Sequence, residues 1–324
     1  MAVLAYIENW DGRFKKISNE LVSYAHLVAQ QLNTSTVALS IGNVDDSELK
    51  KLGNFGADKI LSVRNDKLNA LVNKAYASVI FQAAEKEGAD IVVFAHNMTG
   101  KALAPRVAVK MKAGVASGVT ALPSSLSPFT VQKGVFTGKA IGKVVIGSPK
   151  KVLTLFQNSV EIVQTADKSV IEAFSPVLND SDFGTSVVEV NKSTGKILLT
   201  DAEVVISGGR GMKAKENWGP LEDLAALLGG ATACSRPVSD EGWRPHTEHV
   251  GQTGKIIAPN VYIALGISGA IQHLGGVSAS KHILAVNTDK DAPIFEAADY
   301  GIVGDVQKVL PVLVEEIKKF KAGY

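Results

Sequence analysis

The chain has 324 residues, 46% hydrophobic and 20% charged, which is enough for two folded domains with packed cores. Its net charge of +2 comes from 34 basic and 32 acidic residues without long runs, so it lacks the concentrated basic face that nucleic-acid binding requires. A single cysteine, Cys234, excludes an intramolecular disulfide and fits a reducing compartment.

The apolar stretches fall short of the roughly 20 residues that a membrane-spanning helix needs. The sequence begins with a strand-like run, Val3 to Ile7, and shows neither a charged leader nor an apolar signal core. We therefore expect a cytoplasmic protein of bacterial type, without a membrane span.

Short apolar runs alternate with amphipathic segments in the first half of the chain, which indicates parallel strands joined by helices. The segment from Gly134 to Gly147 mixes apolar and small residues and predicts antiparallel ribbons, and 180–195 is a polar connector containing one strand. The predicted strands are 3–7, 36–41, 59–63 and 90–95, and the predicted helices are 18–32 (capped by Ser18), 45–53 and 68–86.

The second half repeats the alternation after a boundary expected near 195 to 200. One helix carries Pro220 in its first turn and ends at Gly229, and a last helix is capped by Asp305 and kinked by Pro311. The predicted strands, a sheet of at least four, are 203–206, 262–267, 282–287 and 300–303. The sequence thus predicts an α/β protein with two domains, 1–195 and 196–324.

Three strands of the second half end in small or glycine-rich turns, at 207–211, 266–276 and 287–289. In an open parallel sheet the carboxyl ends of the strands form the ligand crevice, and glycine lets backbone approach a phosphate. One such turn is weak support, because glycine turns also serve packing. Together the three indicate a nucleotide-type ligand.

The stretch from 231 to 254 has no clear periodicity and is too long for an ordinary connection between a helix and a strand. A polar surface loop is the plain alternative, but long loops of this composition usually wrap a ligand. Its hydrogen-bonding side chains are Ser235, Arg236, His246, His249, Gln252 and Thr253.

Four runs of the second half resemble, in order and spacing, the FAD domain of electron transfer flavoprotein alpha subunits, the large-subunit or FixB-like family. They are SGGRG, CSRPVSDEGW, VGQTGKIIAPNVYIALGISGAIQHLGG and AVNTDKDAPIFEAADYGIVGD, within residues 203–321. The resemblance implies a Rossmann-like FAD-binding sheet at 196–324. It also implies an adenine-nucleotide-hydrolase-like sheet with antiparallel additions at 1–195, which contacts a beta subunit.

The resemblance also implies roles for individual residues. Arg210 and Ser235 resemble ligands of the FAD phosphates, while Asn287, Asp305 and Val306 resemble the adenosine end. A helix cap is the plain alternative for Asp305, and a surface arginine for Arg210. The other expected cofactor contacts are Val250, Gly251, Gln252 and Thr253 in the loop, and Ser268, Gly269, Ala270, Ile271, Gln272 and His273 around the next turn.

Arg236, Thr253 and His273 are expected to tune the redox potential. In the family an arginine lies against the isoalloxazine, a threonine meets N5, and a histidine reaches the C2 carbonyl region. A cation or a hydrogen-bond donor there favours the negative charge that comes with an added electron.

The function implied is a heterodimeric electron carrier without a substrate reaction of its own. Its partners would be a beta subunit holding AMP, flavin dehydrogenases such as the acyl-CoA dehydrogenases of fatty acid β-oxidation, and a quinone oxidoreductase. A mobile FAD domain hinged at 195–205 would present the cofactor. An ordinary carrier is expected, although an electron-bifurcating member stays open.

Two other classes of protein remain as alternatives. A nucleotide-dependent oxidoreductase would need a proton donor such as His246, His249 or His273, and a regulatory nucleotide-binding module would be redox-inactive. Cys234 with His246 and His249 matches no zinc spacing, and Asp240 beside Glu241 suggests a solvated turn.

Overall fold

The computed structural model describes residues 2–136, 138, 140–190 and 197–323. The chain forms two compact units, Met1–Asn191 and Lys192–Tyr324. The boundary expected at 195 and 196 falls in residues 191–196, which lie outside the described residues, so its position stays a prediction.

The first unit is built on a ten-stranded sheet. Nine of its strands follow the order β10-β9-β7-β11-β6-β1-β4-β5-β12, and the tenth, β8, pairs with β9 outside this order. In this unit β2 and β3 form a separate two-stranded ribbon. The strands are β1 Ala2–Ile7, β2 Asn9–Trp10, β3 Arg13–Phe14, β4 Ser35–Ile41, β5 Lys59–Val63, β6 Ala89–Ala95, β7 Gly114–Val119, β8 Ser125–Leu126, β9 Phe129–Val135, β10 Ala140–Ile146, β11 Lys151–Leu155 and β12 Val170–Ala173. The helices are α1 Lys16–Gln31, α2 Asp46–Lys50, α3 Asn73–Lys86 and α4 Met98–Met111.

The pairing of this sheet follows from the sequence pattern of its strands. The continuously apolar runs of β1 and β6 are buried almost throughout and pair in parallel at the centre. At one end of the sheet β9 pairs antiparallel with β7 and with β10, while β7 itself runs parallel to β11. A mostly parallel sheet with antiparallel additions is therefore confirmed.

The second unit contains a five-stranded sheet in the order β14-β13-β15-β16-β17, with every neighbouring pair parallel. Counted along this unit, the order is 2-1-3-4-5, and the winding direction reverses between β13 and β15. The strands are β13 Val204–Gly208, β14 Ala231–Cys234, β15 Val261–Leu265, β16 His282–Asn287 and β17 Tyr300–Val303. The helices are α5 Gly219–Leu228, α6 Arg236–Asp240, α7 Ile271–Val277, α8 Ile294–Ala297 and α9 Val306–Ala322.

Two apolar cores, one on each face, hold the sheet of the second unit. One core includes Tyr262 and Ile283, and the other includes Trp218, Leu221 and Leu310 from α5 and α9. The end of α5 is closed by Gly229 in the left-handed region at φ 63°, where a Cβ would be unfavourable. The two-domain α/β fold class is confirmed.

Several predicted element boundaries differ from the structure. The first helix begins at Lys16 with Lys15 as its cap, because Ser18 is buried and its hydroxyl donates to the carbonyl of Glu8 at 3.4 Å. The third helix begins at Asn73, after a separate 3-10 turn at Asp66–Leu68. The connector carries a 3-10 turn at Asp180–Phe183 and no strand in 184–190, while 191–195 lies outside the described residues.

The predicted hinge at 195–205 extends too far into the second unit. Leu199 and Ala202 are buried in the core of the second unit, and β13 begins at Val204. Residues from 199 onward therefore belong to the packed unit. Over the residues that the structure describes, each helix is too short or too polar to span a bilayer.

Candidate cofactor site

A cleft of about 490 Å³ lies at the carboxyl ends of β13, β14, β15 and β16. This edge includes the point between β13 and β15 where the winding reverses, and open α/β sheets bind ligands there. Its lining residues are Arg210, Gly211, Ser235, Arg236, Pro237, Asp240, His249, Val250, Gly251, Thr253, Gly266, Ile267, Ser268, Gly269, Ala270, Gln272, His273 and Asn287.

The turns after β13 and β15 interlock at the floor of the cleft. The amide of Gly209 donates to the carbonyl of Leu265 at 2.9 Å, and the amide of Gly211 donates to the carbonyl of Gly266 at 3.0 Å. A Cβ on Gly209 would collide with the carbonyl oxygen of Gly266, and a Cβ on Gly211 would lie 2.6 Å from the Cα of Gly266. Glycine is thus required here for the contact of the two turns with each other.

Twelve of the sixteen residues expected at the cofactor line this one cleft. The exceptions are Gln252, Ile271, Asp305 and Val306. The backbone of Gln252 donates to the carbonyl of Gln272 at 2.8 Å, which ties the loop to α7. Ile271 is half exposed, and Val306 is buried in the core at the start of α9.

Asp305 and Asn287 have structural partners in the protein itself. The carboxylate of Asp305 accepts the amide of Gln307 at 3.0 Å, which caps α9, and it pairs with Lys213 at 2.7 Å. Lys213 and this cap lower the pKa of Asp305. Asn287 donates to the carbonyl of Ile267 at 2.9 Å and accepts the amide of Asp289 at 3.0 Å. The cap predicted for Asp305 is confirmed, and the adenosine role of both residues stays a prediction.

Arg236 and Thr253 line the same cleft, and their role in tuning the redox potential stays a prediction. Arg236 begins α6, and its Nη1 lies 3.5 Å from the hydroxyl of Thr253, a long contact. Its Nε donates to Asp240 at 3.3 Å. Asp240 ends α6 and lines the cleft beside the arginine. Its side chain is 60% exposed, so the predicted solvation is confirmed, although the residue ends a helix rather than lying in a turn.

His273 lies in α7 with its ring buried against the cleft. Its Nε2 is 2.7 Å from the hydroxyl of Tyr262, and its Nδ1 has no hydrogen-bond partner of good geometry among the described residues. Burial lowers the pKa of His273 to about 4, with a further decrease from His249, and the backbone of Val250 offsets this in part. The imidazole is therefore neutral near pH 7.

His249 is a cleft residue that sequence reasoning did not include among the cofactor contacts. It is 3% exposed, its Nδ1 is also unpartnered in the described part of the chain, and burial lowers its pKa. His246 lies edge-on to it at 5.2 Å between ring centroids. The available signal was its place in the ligand-wrapping loop next to the VGQTG run.

The other candidate chemistries gain no support from geometry. Burial raises the pKa of the Cys234 thiol to about 12, so it is protonated at neutral pH and is a weak nucleophile. Within 2–136, 138, 140–190 and 197–323, no three His, Cys, Asp or Glu side chains cluster in a way that could hold a metal ion.

The parallel sheet with a cleft at its reversal point defines a protein that binds a nucleotide-type cofactor. Comparison with known families makes this specific. The family model described as the electron transfer flavoprotein domain matches residues 3–178, and the one described as the electron transfer flavoprotein FAD-binding domain matches residues 198–278. The chain belongs to the electron transfer flavoprotein family, in which it corresponds to the alpha subunit. Its cofactor is FAD.

Curated relatives match over nearly the full length. The electron transfer flavoprotein subunit alpha of Bacillus subtilis is 35% identical over 95% of each chain. That of Megasphaera elsdenii is 36% identical over 97% of this chain and 95% of its own. The acryloyl-CoA reductase electron transfer subunit beta of Anaerotignum propionicum is 30% identical over 98% of this chain and 96% of its own. Among solved structures, a UDP-GlcNAc 2-epimerase from Methanocaldococcus jannaschii reaches a TM-score of only 0.35, with 13% identity over 97% of this chain and 92% of its own.

The cleft fits FAD in its chemistry. The Nδ1 atoms of His249 and His273 have no hydrogen-bond partner of good geometry among the described residues, although the Val250 backbone interacts with the His273 ring. Arg236, with a side chain that is 62% exposed, supplies a cation at the wall. A buried polar atom without a partner is costly, so a ligand that bonds these nitrogens is favoured.

Proposed function

We propose that this chain is the FAD-holding subunit of a heterodimeric electron carrier and has no substrate reaction of its own. A beta subunit that holds AMP completes the carrier. Electrons come from flavin dehydrogenases, such as acyl-CoA dehydrogenases of fatty acid β-oxidation, and leave to a quinone oxidoreductase. Cytoplasmic location and the ordinary, non-bifurcating type remain predictions alongside this proposal.

The observation that carries the proposal is the convergence of twelve expected contact residues on one cleft in a chain of this family. Bound FAD supplies reversible electron acceptance. Arg210 and Ser235 would hold its phosphates, and the 268–273 turn would face the pyrophosphate and the flavin. Arg236, Thr253 and His273 would set the potential, because a cation and donors stabilise negative charge at low dielectric.

The partners are proposed from the relatives and from chemistry. Relatives named as alpha subunits support a beta subunit in the assembly. The relative named as an electron transfer subunit of acryloyl-CoA reductase favours a flavin dehydrogenase that acts on CoA thioesters as the electron donor or acceptor.

The test is to produce the chain with the beta subunit and record its absorption spectrum. A flavin spectrum that bleaches when an acyl-CoA dehydrogenase and its substrate are added supports the proposal. Bleaching must fail when the dehydrogenase is left out. Turnover of a small substrate without any partner dehydrogenase would instead make the chain an enzyme, and a heterodimer that stays colourless with added FAD would refute FAD binding.

A further inference from the structure

Arg244 makes an unusually complete set of contacts in the segment between α6 and β15. Its Nε and Nη2 donate to the two carboxylate oxygens of Glu248 at 2.8 and 2.9 Å, a bidentate pair. Its Nη1 donates to Glu222 at 2.7 Å, and its guanidinium lies 5.6 Å from the ring centre of Trp218. The side chains of Arg244 and Glu248 are only 15% and 9% exposed.

These contacts join the loop to the rigid part of the second unit. Glu222 lies in the first turn of α5, and Trp218 is buried in the core beneath that helix. A planar guanidinium fixes both direction and distance, which a lysine at the same place would not. Arg244 therefore connects Glu248 to a helix that itself packs on β13 and β14.

Glu248 is followed directly by the cleft wall. His249, Val250 and Gly251 line the cleft, and the amide of Val250 donates to the carbonyl of Cys234 at 3.0 Å. Gly251 then packs on α7, because a Cβ on Gly276 would lie 2.5 Å from the Cα of Gly251. The wall is thus anchored to β14 and α7 after residue 249 and to α5 through Arg244 before it.

We propose that the Arg244–Glu248 pair is a positioning clamp that sets the wall segment His249–Gly251 against bound FAD. The inference rests on the proposed function, since it concerns the same cleft. Arg244 does not line the cleft, so it acts through Glu248 and the backbone that follows. Its loss removes the anchor of the wall to α5 and leaves those to β14 and α7, so the segment before His249 shifts against the cofactor, which speeds FAD release and changes the environment of the isoalloxazine.

A purely structural role is the competing explanation, because Trp243 also packs against the core next to this pair. Melting temperature alone cannot separate the two explanations. The rate of FAD dissociation, followed by the rise in flavin fluorescence, and the visible circular dichroism of bound FAD can separate them, because a wall that keeps its place leaves both unchanged.

The experiment compares Arg244→Met, Arg244→Lys and Glu222→Ala in the full chain produced with the beta subunit. Arg244→Met is expected to raise the FAD dissociation rate about tenfold or more. Arg244→Lys should reverse only part of this increase, because lysine keeps the charge but lacks the planar guanidinium that donates two parallel hydrogen bonds. Glu222→Ala, which leaves the bidentate pair intact, should give a smaller increase. The matched control is Lys319→Met, since Lys319 pairs with Glu315 and Glu316 on the surface of α9.

The outcomes separate this inference from the proposed function. Unchanged FAD release and dichroism in Arg244→Lys and Glu222→Ala, with only lower melting temperatures, would overturn the clamp, even where Arg244→Met fails to fold. An equal effect of Lys319→Met would overturn it as well. A wild-type heterodimer that never binds FAD would reject the proposed function itself.

Discussion

Replacing Tyr262 with phenylalanine removes a single oxygen atom from the second unit. That hydroxyl lies 2.7 Å from Nε2 of His273 and is the hydrogen-bond partner that the structure shows for this buried imidazole. Tyr262 is 0% exposed and His273 6%. Burial raises the pKa of the Tyr262 phenol, so the hydroxyl keeps its proton at every working pH and can donate it to the neutral ring.

The magnitude follows from the nitrogen that is left behind. A buried polar atom that loses its partner costs about 1–3 kcal/mol. The phenyl ring keeps its packing, so we expect the free energy of unfolding of the second unit to fall by this amount. Its melting temperature should decrease by about 4 °C for each kcal/mol. Without the Tyr262 hydroxyl, Nε2 of His273 no longer has to accept a hydrogen bond, so the ring proton can move between its two nitrogens. The redox potential of bound FAD should shift as a result.

The assay is calorimetric unfolding of the chain with and without FAD, followed by a redox titration of the bound cofactor. Tyr24→Phe is the matched control in the first unit. Tyr24 is also 0% exposed, but its hydroxyl has no partner in the described residues. Removing that hydroxyl should leave the first unit equally stable or more stable.

The bond between Tyr262 and His273 does not stabilise the second unit if Tyr262→Phe and Tyr24→Phe change stability by the same amount. Equal losses would mean that deleting a buried hydroxyl costs packing alone and that the bond to His273 adds nothing. Unchanged potential in Tyr262→Phe with lowered stability would confine the bond to a structural role.

Three further predictions address the cleft and its surroundings. Arg236→Ala should lower the potential of bound FAD, by about 60 mV for each tenfold loss of preference for the reduced form, and unchanged potential would contradict a cation beside the isoalloxazine. Asp305→Ala should lower the melting temperature through the lost α9 cap, and FAD affinity measured by fluorescence quenching should fall only if Asp305 also holds ribose. Because burial lowers the pKa of His273 from 6.5 to about 4, the unfolded state binds the extra proton between these values. The contribution of the neutral His273 to the stability of the second unit is therefore fully present above pH 6.5, and about 3 kcal/mol of it is lost as the pH falls towards 4. His273→Gln should flatten the dependence of the urea-unfolding free energy on pH over this range.

The sequence pattern predicted most of the long, strongly periodic elements and missed short ones, but it also missed the 14-residue helix α4, which has Pro105 inside it. The runs at β1, β4 and β6 were predictable because both faces of a central parallel strand are buried, and the antiparallel ribbon of β9 and β10 was predictable from its alternation. The edge strand β14 was missed because its four residues pass directly into the polar loop. Buried Ala231, Ala233 and Cys234 are too small and too few to give a period.

The site was predictable where topology alone determines position. Turns after parallel strands must meet at one edge, which brought Arg210, Ser268 and Asn287 to one cleft. Contacts that depend on side-chain packing across the loop were not predictable. The burial of His249 and the bond between Tyr262 and His273 arise only after tertiary packing, whereas the pair of Arg236 with Asp240 is a local contact four residues apart within α6.

The interlocked glycines between β13 and β15 also limit how this site can be changed. A side chain on Gly209 collides with Gly266, and one on Gly266 would lie 2.6 Å from Gly211, so neither turn can be altered alone without separating two central strands. Transplanting the cleft onto another scaffold, or evolving a different ligand preference in the laboratory, would require both turns to be exchanged in one step. Mutational libraries that vary one position at a time are expected to recover only glycine at these three sites.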